Sequence, residues 1–197
     1  MLNPDLQRLN PYPFEQLTAL LKGARPPAGL TPIPLSIGEP QHNPPSFVLD
    51  TLTEYMGLIS KYPTTNGSEA LRQSIAGWVN KRFSLEHAPI NPETQVIPVN
   101  GTREAIFASL QAAANRATDA TVVMPNPFYQ IYEGAALLAG LAPHYLQILP
   151  SGQPDYLAVP DTVWKDCQFC FICTPGNPTG TVINQETLEY LILKANE

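Results

Sequence analysis

The rhythm of apolar and polar positions changes near residue 92. Upstream, Phe47, Leu49, Leu52, Tyr55, Met56 and Ile59 recur at helical spacing from Ser46. After a turn at Pro63 to Gly67 a second helix is predicted from Ser68, with Leu71, Ile75, Trp78, Val79 and Phe83 on one face. Downstream, short β-branched runs alternate with helical stretches. Strands are predicted at 96–99, 121–124, 144–148 and 168–173, and helices from Thr102, from about Tyr129 and over 185–196. That alternation predicts an α/β fold with a mostly parallel, doubly wound sheet. The last helix carries Leu188, Leu191, Ile192 and Ala195 on one stripe, the pattern of a packing helix that leads into another strand.

Residues 1–35 break the pattern with Pro11, Pro13, Pro26, Pro27, Pro32 and Pro34, as in an arm laid over another surface. The 22 prolines sit singly or in pairs at element ends, so they punctuate the chain without disordering it. With 197 residues and 44% hydrophobic content, the chain can hold one large domain, or one domain and part of a second. A net charge of −6 with scattered Lys and Arg argues against nucleic acid or a membrane surface as the partner and favours a small polar or anionic ligand. The amino terminus has no basic segment followed by an apolar stretch, and 134–143, the most apolar segment, is too short to span a bilayer, so a cytoplasmic protein is expected.

Three loops carry candidate chemistry, each following an apolar run. Cys173-Thr174-Pro175-Gly176-Asn177-Pro178-Thr179-Gly180 holds one amide side chain between prolines at the carboxyl end of a strand, where open α/β sheets bind ligands. Val99-Asn100-Gly101-Thr102-Arg103-Glu104 runs from a strand through Gly into a helix start, where free N–H groups and the helix dipole can hold a phosphate; taken alone, the loop is better explained by Thr102 as a simple N-cap. Pro125-Asn126-Pro127-Phe128-Tyr129-Gln130-Ile131-Tyr132 puts aromatic rings at the same edge, either against a flat ligand or as core. Cys167, Cys170 and Cys173 copy part of a ferredoxin spacing, but strand alternation puts Cys167 and Cys173 on one face and Cys170 on the other, as for buried structural thiols. His42, His87 and His144 have no partners at ligand spacing, so no metal site is expected.

Taken in this order, phosphate cradle, aromatic plate and Asn loop resemble the aspartate aminotransferase-like (fold type I, class I/II) pyridoxal 5'-phosphate enzymes. More narrowly, Pro11-Tyr12-Pro13-Phe14, Leu35-Ser36-Ile37-Gly38-Glu39-Pro40, Tyr62-Pro63-Thr64-Thr65, Gly67-Ser68-Glu69-Ala70-Leu71-Arg72 and the loops at 100–105 and 126–134 resemble bacterial succinyldiaminopimelate transaminase. The resemblance implies that Gly101, Thr102 and Arg103 hold the cofactor phosphate, that Tyr129 stacks on the pyridine ring, and that Asn177 donates to its phenolate oxygen. It further implies that Tyr62 reaches the phosphate of a neighbouring subunit in a homodimer, and that Ile37 and Gly38 line the substrate loop. The implied activity moves an amino group between amino-acid and 2-oxo-acid substrates, here an N-succinylated diaminopimelate precursor with 2-oxoglutarate, in lysine biosynthesis. Aspartate or an aromatic amino acid is the alternative.

The same resemblance calls for a Schiff-base lysine, an Asp on the ring nitrogen and an Arg on the substrate carboxylate, and none is found at a matching position. Of Lys22, Lys61, Lys81, Lys165 and Lys194, only Lys194 follows the Asn loop, and it lies in the packing helix. The expectation is an amino-terminal half: an arm and substrate loop over 1–45, and over 46–197 a partial large domain with part of the small domain, truncated before the lysine and inactive alone. A non-catalytic remnant is the other reading.

Overall fold

The computed structural model describes residues 2–197, which divide into two compact units. One joins the segment up to Lys22 with Asn100–Glu197, and the other is Gly23–Val99. In chain order the helices are α1 (Pro13–Leu21), α2 (Ser46–Glu54), α3 (Glu69–Phe83), α4 (Thr102–Ala113), α5 (Ile131–Leu138), α6 (Asp161–Lys165) and α7 (Gln185–Asn196). The strands are β1 (Thr121–Met124), β2 (Ala142–Tyr145) and β3 (Cys167–Cys170), with 3-10 turns at Pro4–Arg8 and Met56–Ser60.

The first unit is built on a parallel sheet of order β2-β1-β3. Alternation along β1 sends Val122 and Met124 to one face, against Leu110 of α4 and Tyr132, Ala135 and Ala136 of α5. Val123 goes to the other face, against Leu146, Tyr156, Val159, Ile183 and Leu191 of α7. Both faces are therefore covered by helices, the arrangement expected of a parallel sheet. Asn184 starts α7 by accepting from the Thr187 N–H at 2.8 Å, so the cap and the buried Leu191 fix the helix together. Ile192, expected on the buried stripe, is exposed.

Several boundaries move for local reasons. Helix α5 begins at Ile131, because Pro127 and the loop before it delay the first helical bond until Tyr132 N–H reaches the Tyr129 carbonyl. Strand β2 spans Ala142–Tyr145 where 144–148 was expected: Gly140, at φ +80, turns the chain so that Ala142 N–H already pairs with Ala120. Strand β3 ends at Cys170 because its neighbour runs into Pro125 after Met124; one further bond, Phe171 N–H to the Val123 carbonyl, closes the ladder. Residues 96–99 form no strand, and Ile97 and Val99 are exposed: no strand stands beside them to satisfy their backbone groups.

The sheet also corrects the cysteine pattern. The register slips between Thr121↔Cys167 and Val122↔Phe169, so an irregularity in β3 puts Cys167 on the same face as Cys170, against the Val123 cluster. Burial raises the Cys167 thiol pKa and pushes that of Cys170 up to about 12. Cys173 lies in the loop beyond and donates to the Pro175 carbonyl. At pH 8 a thiol reagent is expected to label Cys173 first, with Cys167 and Cys170 slower by about tenfold or more, checked by peptide mass mapping over time.

The beginning of the arm finds its surface within the chain. The Pro4–Arg8 turn packs on α5, Arg8 donates to the Leu141 carbonyl, Asn10 donates to Glu133, and Asp5 pairs with Arg116. In the unit Gly23–Val99, Ser68 caps α3 through the Leu71 N–H, as its position predicts. The apolar face expected there is covered only in part: Ile75 and Val79 are half-buried and Leu71, Trp78 and Phe83 are exposed, while Arg72 and Ala76 are buried. The cause is Arg72, whose guanidinium donates to the carbonyls of Asn66, Gly67 and Pro92 and to Glu93, drawing its side of the helix inward. The helical run from Ser46 divides at Tyr55 into α2 and the Met56–Ser60 turn. Among the described residues no helix is long and apolar enough to cross a membrane.

Candidate cofactor-binding site

Gly101 is the N-cap of α4, with φ 150 and ψ 158, a conformation open to glycine and strained for other residues. Because the cap has no side-chain oxygen, the first-turn N–H groups of α4 receive no side-chain cap bond. Thr102 is the first residue of the helix and not its cap, which removes the N-cap explanation. A Cβ on Gly101 would come within 2.9 Å of Glu104 Oε2, so glycine leaves room beside the helix start for that flexible carboxylate.

Tyr129 reaches this end of the helix from the loop after β1. Hydrogen bonding and charge attraction to Tyr129, with a further contribution from Tyr12, hold the exposed Arg103 guanidinium above its ordinary pKa. Tyr129 also meets Tyr132 edge-on at 5.9 Å, and Tyr132 stacks on Phe171 at 4.1 Å with planes 5° apart. Burial first, and Cys173 after it, push the Tyr132 phenol up to about 12, so it remains neutral across the working pH range. Phe171 is the residue from which the Asn loop departs. That loop is closed by Gly176 N–H to the Thr181 carbonyl at 2.9 Å and Gly180 N–H to the Gly176 carbonyl at 2.7 Å, with Gly180 at φ +71. Asn177, exposed at the surface, lines a void of about 10 Å³ with Pro125, Pro127, Cys173 and Thr179.

Ring contacts thus run from Tyr129 through Tyr132 to Phe171 at the base of the Asn loop, and Pro127 and Asn177 line one void. Backbone donors for an anion, an aromatic face and a carboxamide donor lie on loops that leave the same unit. This donor set fits a planar ring carrying an anionic arm and a phenolic oxygen. Tyr62, Ile37 and Gly38 belong to the other unit, where Tyr62 and Ile37 are exposed.

A larger concavity, about 940 Å³, lies elsewhere, along the outer edge of β3 between Asp161, Trp164, Gln168, Leu191 and Lys194. None of the three loops lines it. Lys194 is paired there with Glu197 at 2.7 Å and Asp161 at 3.3 Å, and Glu197 first, then Asp161, keep its ammonium charged. A lysine so paired lacks the free amine that a nucleophile needs. Two residues near the three loops escape a reading of the sequence. Tyr12 is known there only as part of a Pro-Tyr-Pro-Phe run, and Tyr156 lies in a polar stretch without periodicity.

A family model described as aminotransferase class I and II matches residues 31–197. The chain belongs to the class I and II aminotransferases. The family works with pyridoxal phosphate, and the parallel sheet flanked by helices is its aspartate aminotransferase-like fold. Among solved structures, the aminotransferase from Neisseria meningitidis Z2491 superposes with a TM-score of 0.89 at 36% identity, covering 99% of this chain and 50% of that one. The aminotransferase AspB from Helicobacter pylori 26695 superposes with a TM-score of 0.85 at 30% identity, covering 95% and 48%. Among curated relatives, the chain is 29% identical over 196 residues to the LL-diaminopimelate aminotransferase of Desulforudis audaxviator, covering 98% of the chain and 48% of that protein. To the enzyme of the same name from Gloeobacter violaceus it is 31% identical over 191 residues, covering 95% and 47%. The chain spans about half the length of the curated relatives it matches. These relatives carry the diaminopimelate name without the succinyl group, so the narrower resemblance is not the one they share.

Proposed function

We propose that this aminotransferase chain supplies the cofactor-gripping part of an enzyme that moves an amino group between a diaminopimelate-type amino acid and a 2-oxo acid in lysine synthesis. The reading rests on one observation, the ring contacts that run from Tyr129 through Tyr132 to Phe171 at the base of the Asn177 loop. In it, N–H groups of Gly101, Thr102 and Arg103 hold the phosphate, with the α4 dipole adding to the attraction. Tyr129 covers one face of the ring, its hydroxyl tethered toward Arg103, and Asn177 Nδ2 donates to the ring oxygen. When bound, pyridoxal phosphate supplies the electron sink for amino transfer.

Residues 1–45 then serve as arm and substrate loop, with Ile37 and Gly38 near the substrate, and 46–197 as part of the large domain. Tyr62 serves the neighbouring site of a homodimer. The relatives' names favour free diaminopimelate as the substrate, whereas the motifs at 35–40 and 126–134 favour its N-succinylated precursor.

Titrating the 197-residue chain with pyridoxal phosphate, followed by protein fluorescence, tests the grip. Saturable binding is expected, with Asn177→Ala weaker by about tenfold, the loss of one hydrogen bond to a charged group. Equal affinity in wild type and variant would remove Asn177 from the site. Assay of the complete gene product with free and N-succinylated diaminopimelate decides the substrate. Activity on aspartate alone would reject both.

A further inference from the structure

We propose that Tyr156 is a positioning residue whose hydroxyl fixes the point from which the Asn177 loop leaves the sheet, and so sets the direction of the Asn177 amide. The role of the amide itself rests on the cofactor reading above.

Tyr156 is the largest of the fully buried side chains, 1% exposed, in a cluster otherwise made of Val123, Leu146, Val159, Ile183 and Leu191. A hydroxyl in such surroundings is costly unless it is paired. It donates to the Phe171 carbonyl at 2.8 Å. Burial raises its pKa, so it stays protonated and remains a donor.

Phe171 is the last residue held by the sheet, through its N–H to the Val123 carbonyl at 2.8 Å. Its ring is clamped by Tyr132, the neighbour of Tyr129. N–H, ring and carbonyl of one residue are thus tied to strand, aromatic plate and Tyr156 respectively. Six residues later comes Asn177.

The segment that presents Tyr156 also holds the far end of the loop. Thr181 Oγ1 donates to the Gly152 carbonyl at 3.1 Å, and the bridge Ile148↔Pro154 closes the segment on itself. Between Tyr156 and Asn177 the void is only about 10 Å³, room for a single water at most. Phenylalanine at this position keeps the packing and loses only the anchor.

The test uses the 197-residue chain and four variants: Tyr156→Phe, Asn177→Ala, the double variant, and Val159→Ala as a control from the same cluster. Hydrogen exchange is expected to quicken about tenfold at the Gly176 and Gly180 amides in Tyr156→Phe, with the Val122–Met124 amides unchanged. Pyridoxal phosphate affinity is expected to fall about fivefold in Tyr156→Phe, with no further fall when that change is added to Asn177→Ala, because both act through one amide. Val159→Ala is expected to lower the melting temperature without quickening the loop.

Unchanged exchange at Gly176 and Gly180 in Tyr156→Phe overturns the proposal whatever the cofactor does. Equal quickening in Val159→Ala overturns it too, since the effect would then be general loosening. Additive losses in the double variant would show Tyr156 acting independently of Asn177, against the proposal. A wild-type chain without affinity for pyridoxal phosphate, but with the quickened loop in Tyr156→Phe, rejects the cofactor reading and supports Tyr156 as the loop's anchor.

Discussion

Gly101→Val is expected to weaken pyridoxal phosphate binding by about 100-fold or more, the largest loss from any single change at the site. Two effects combine. At φ 150 and ψ 158 a β-branched residue is strained, at a cost of about 1–3 kcal/mol, and relief requires the helix start to turn away from its present direction. The new side chain would also occupy the space in front of the first-turn N–H groups. Glu104 Oε2, 2.9 Å from where the Cβ would stand, is the end of a flexible chain and can swing aside, so backbone strain decides the outcome and not the clash. Gly101→Ala should fall between the two. A valine variant that binds within threefold of wild type would show that the start of α4 has no part in holding the ligand.

Val123→Asp should abolish cooperative folding of the unit that contains the sheet. Val123 is wholly buried at the centre of β1, with apolar neighbours throughout its cluster. An unpaired carboxylate there costs several kcal/mol, against a typical domain stability of about 5–15 kcal/mol. Val123→Thr, similar in shape but carrying a hydroxyl, should cost about 1–3 kcal/mol and leave a measurable transition. Near-ultraviolet circular dichroism during heating separates them: a shifted melt for threonine and no melt for aspartate. A cooperative transition in the aspartate variant would mean that β1 is not the centre of this unit's stability.

The parts of the fold that a sequence shows are those decided locally. Helix α7 and strand β1 appear where their periodicity and caps put them, since Asn184 and the Thr121–Met124 run need no distant partner to be recognised. Residues 96–99 have the same β-branched character, yet a strand exists only beside another strand, and pairing is invisible in one segment read alone. The Cys167 face depends on a register slip against Thr121, again a property of two strands. The side of α3 that is buried follows Arg72, because three backbone carbonyls and a carboxylate outweigh the pull of exposed Trp78 and Phe83.

The candidate site divides in the same way. Gly101, Tyr129 and Asn177 each sit at a strand end marked by Gly or Pro, so their positions are legible. The links between them, Tyr132 on Phe171 and Tyr156 under the loop, come from residues far apart in the chain and carry no motif. The diaminopimelate in the names of the curated relatives agrees with the resemblance that the motifs carry. The choice between free and succinylated substrate was not, because no residue quoted for it is tied to a distal group.

The unit Gly23–Val99 buries only Arg72, Ala76 and Val96 among its described residues, so a guanidinium, not a greasy nucleus, organises it. Its denaturation exposes little hydrocarbon to solvent, which implies a small heat-capacity increment and a shallow response to urea. Its opening is governed chiefly by competition for the acceptors of one arginine, the carbonyls of Asn66, Gly67 and Pro92 and the Glu93 carboxylate, and guanidinium ion, which offers the same donors, is a sharper reagent against it than urea of equal strength.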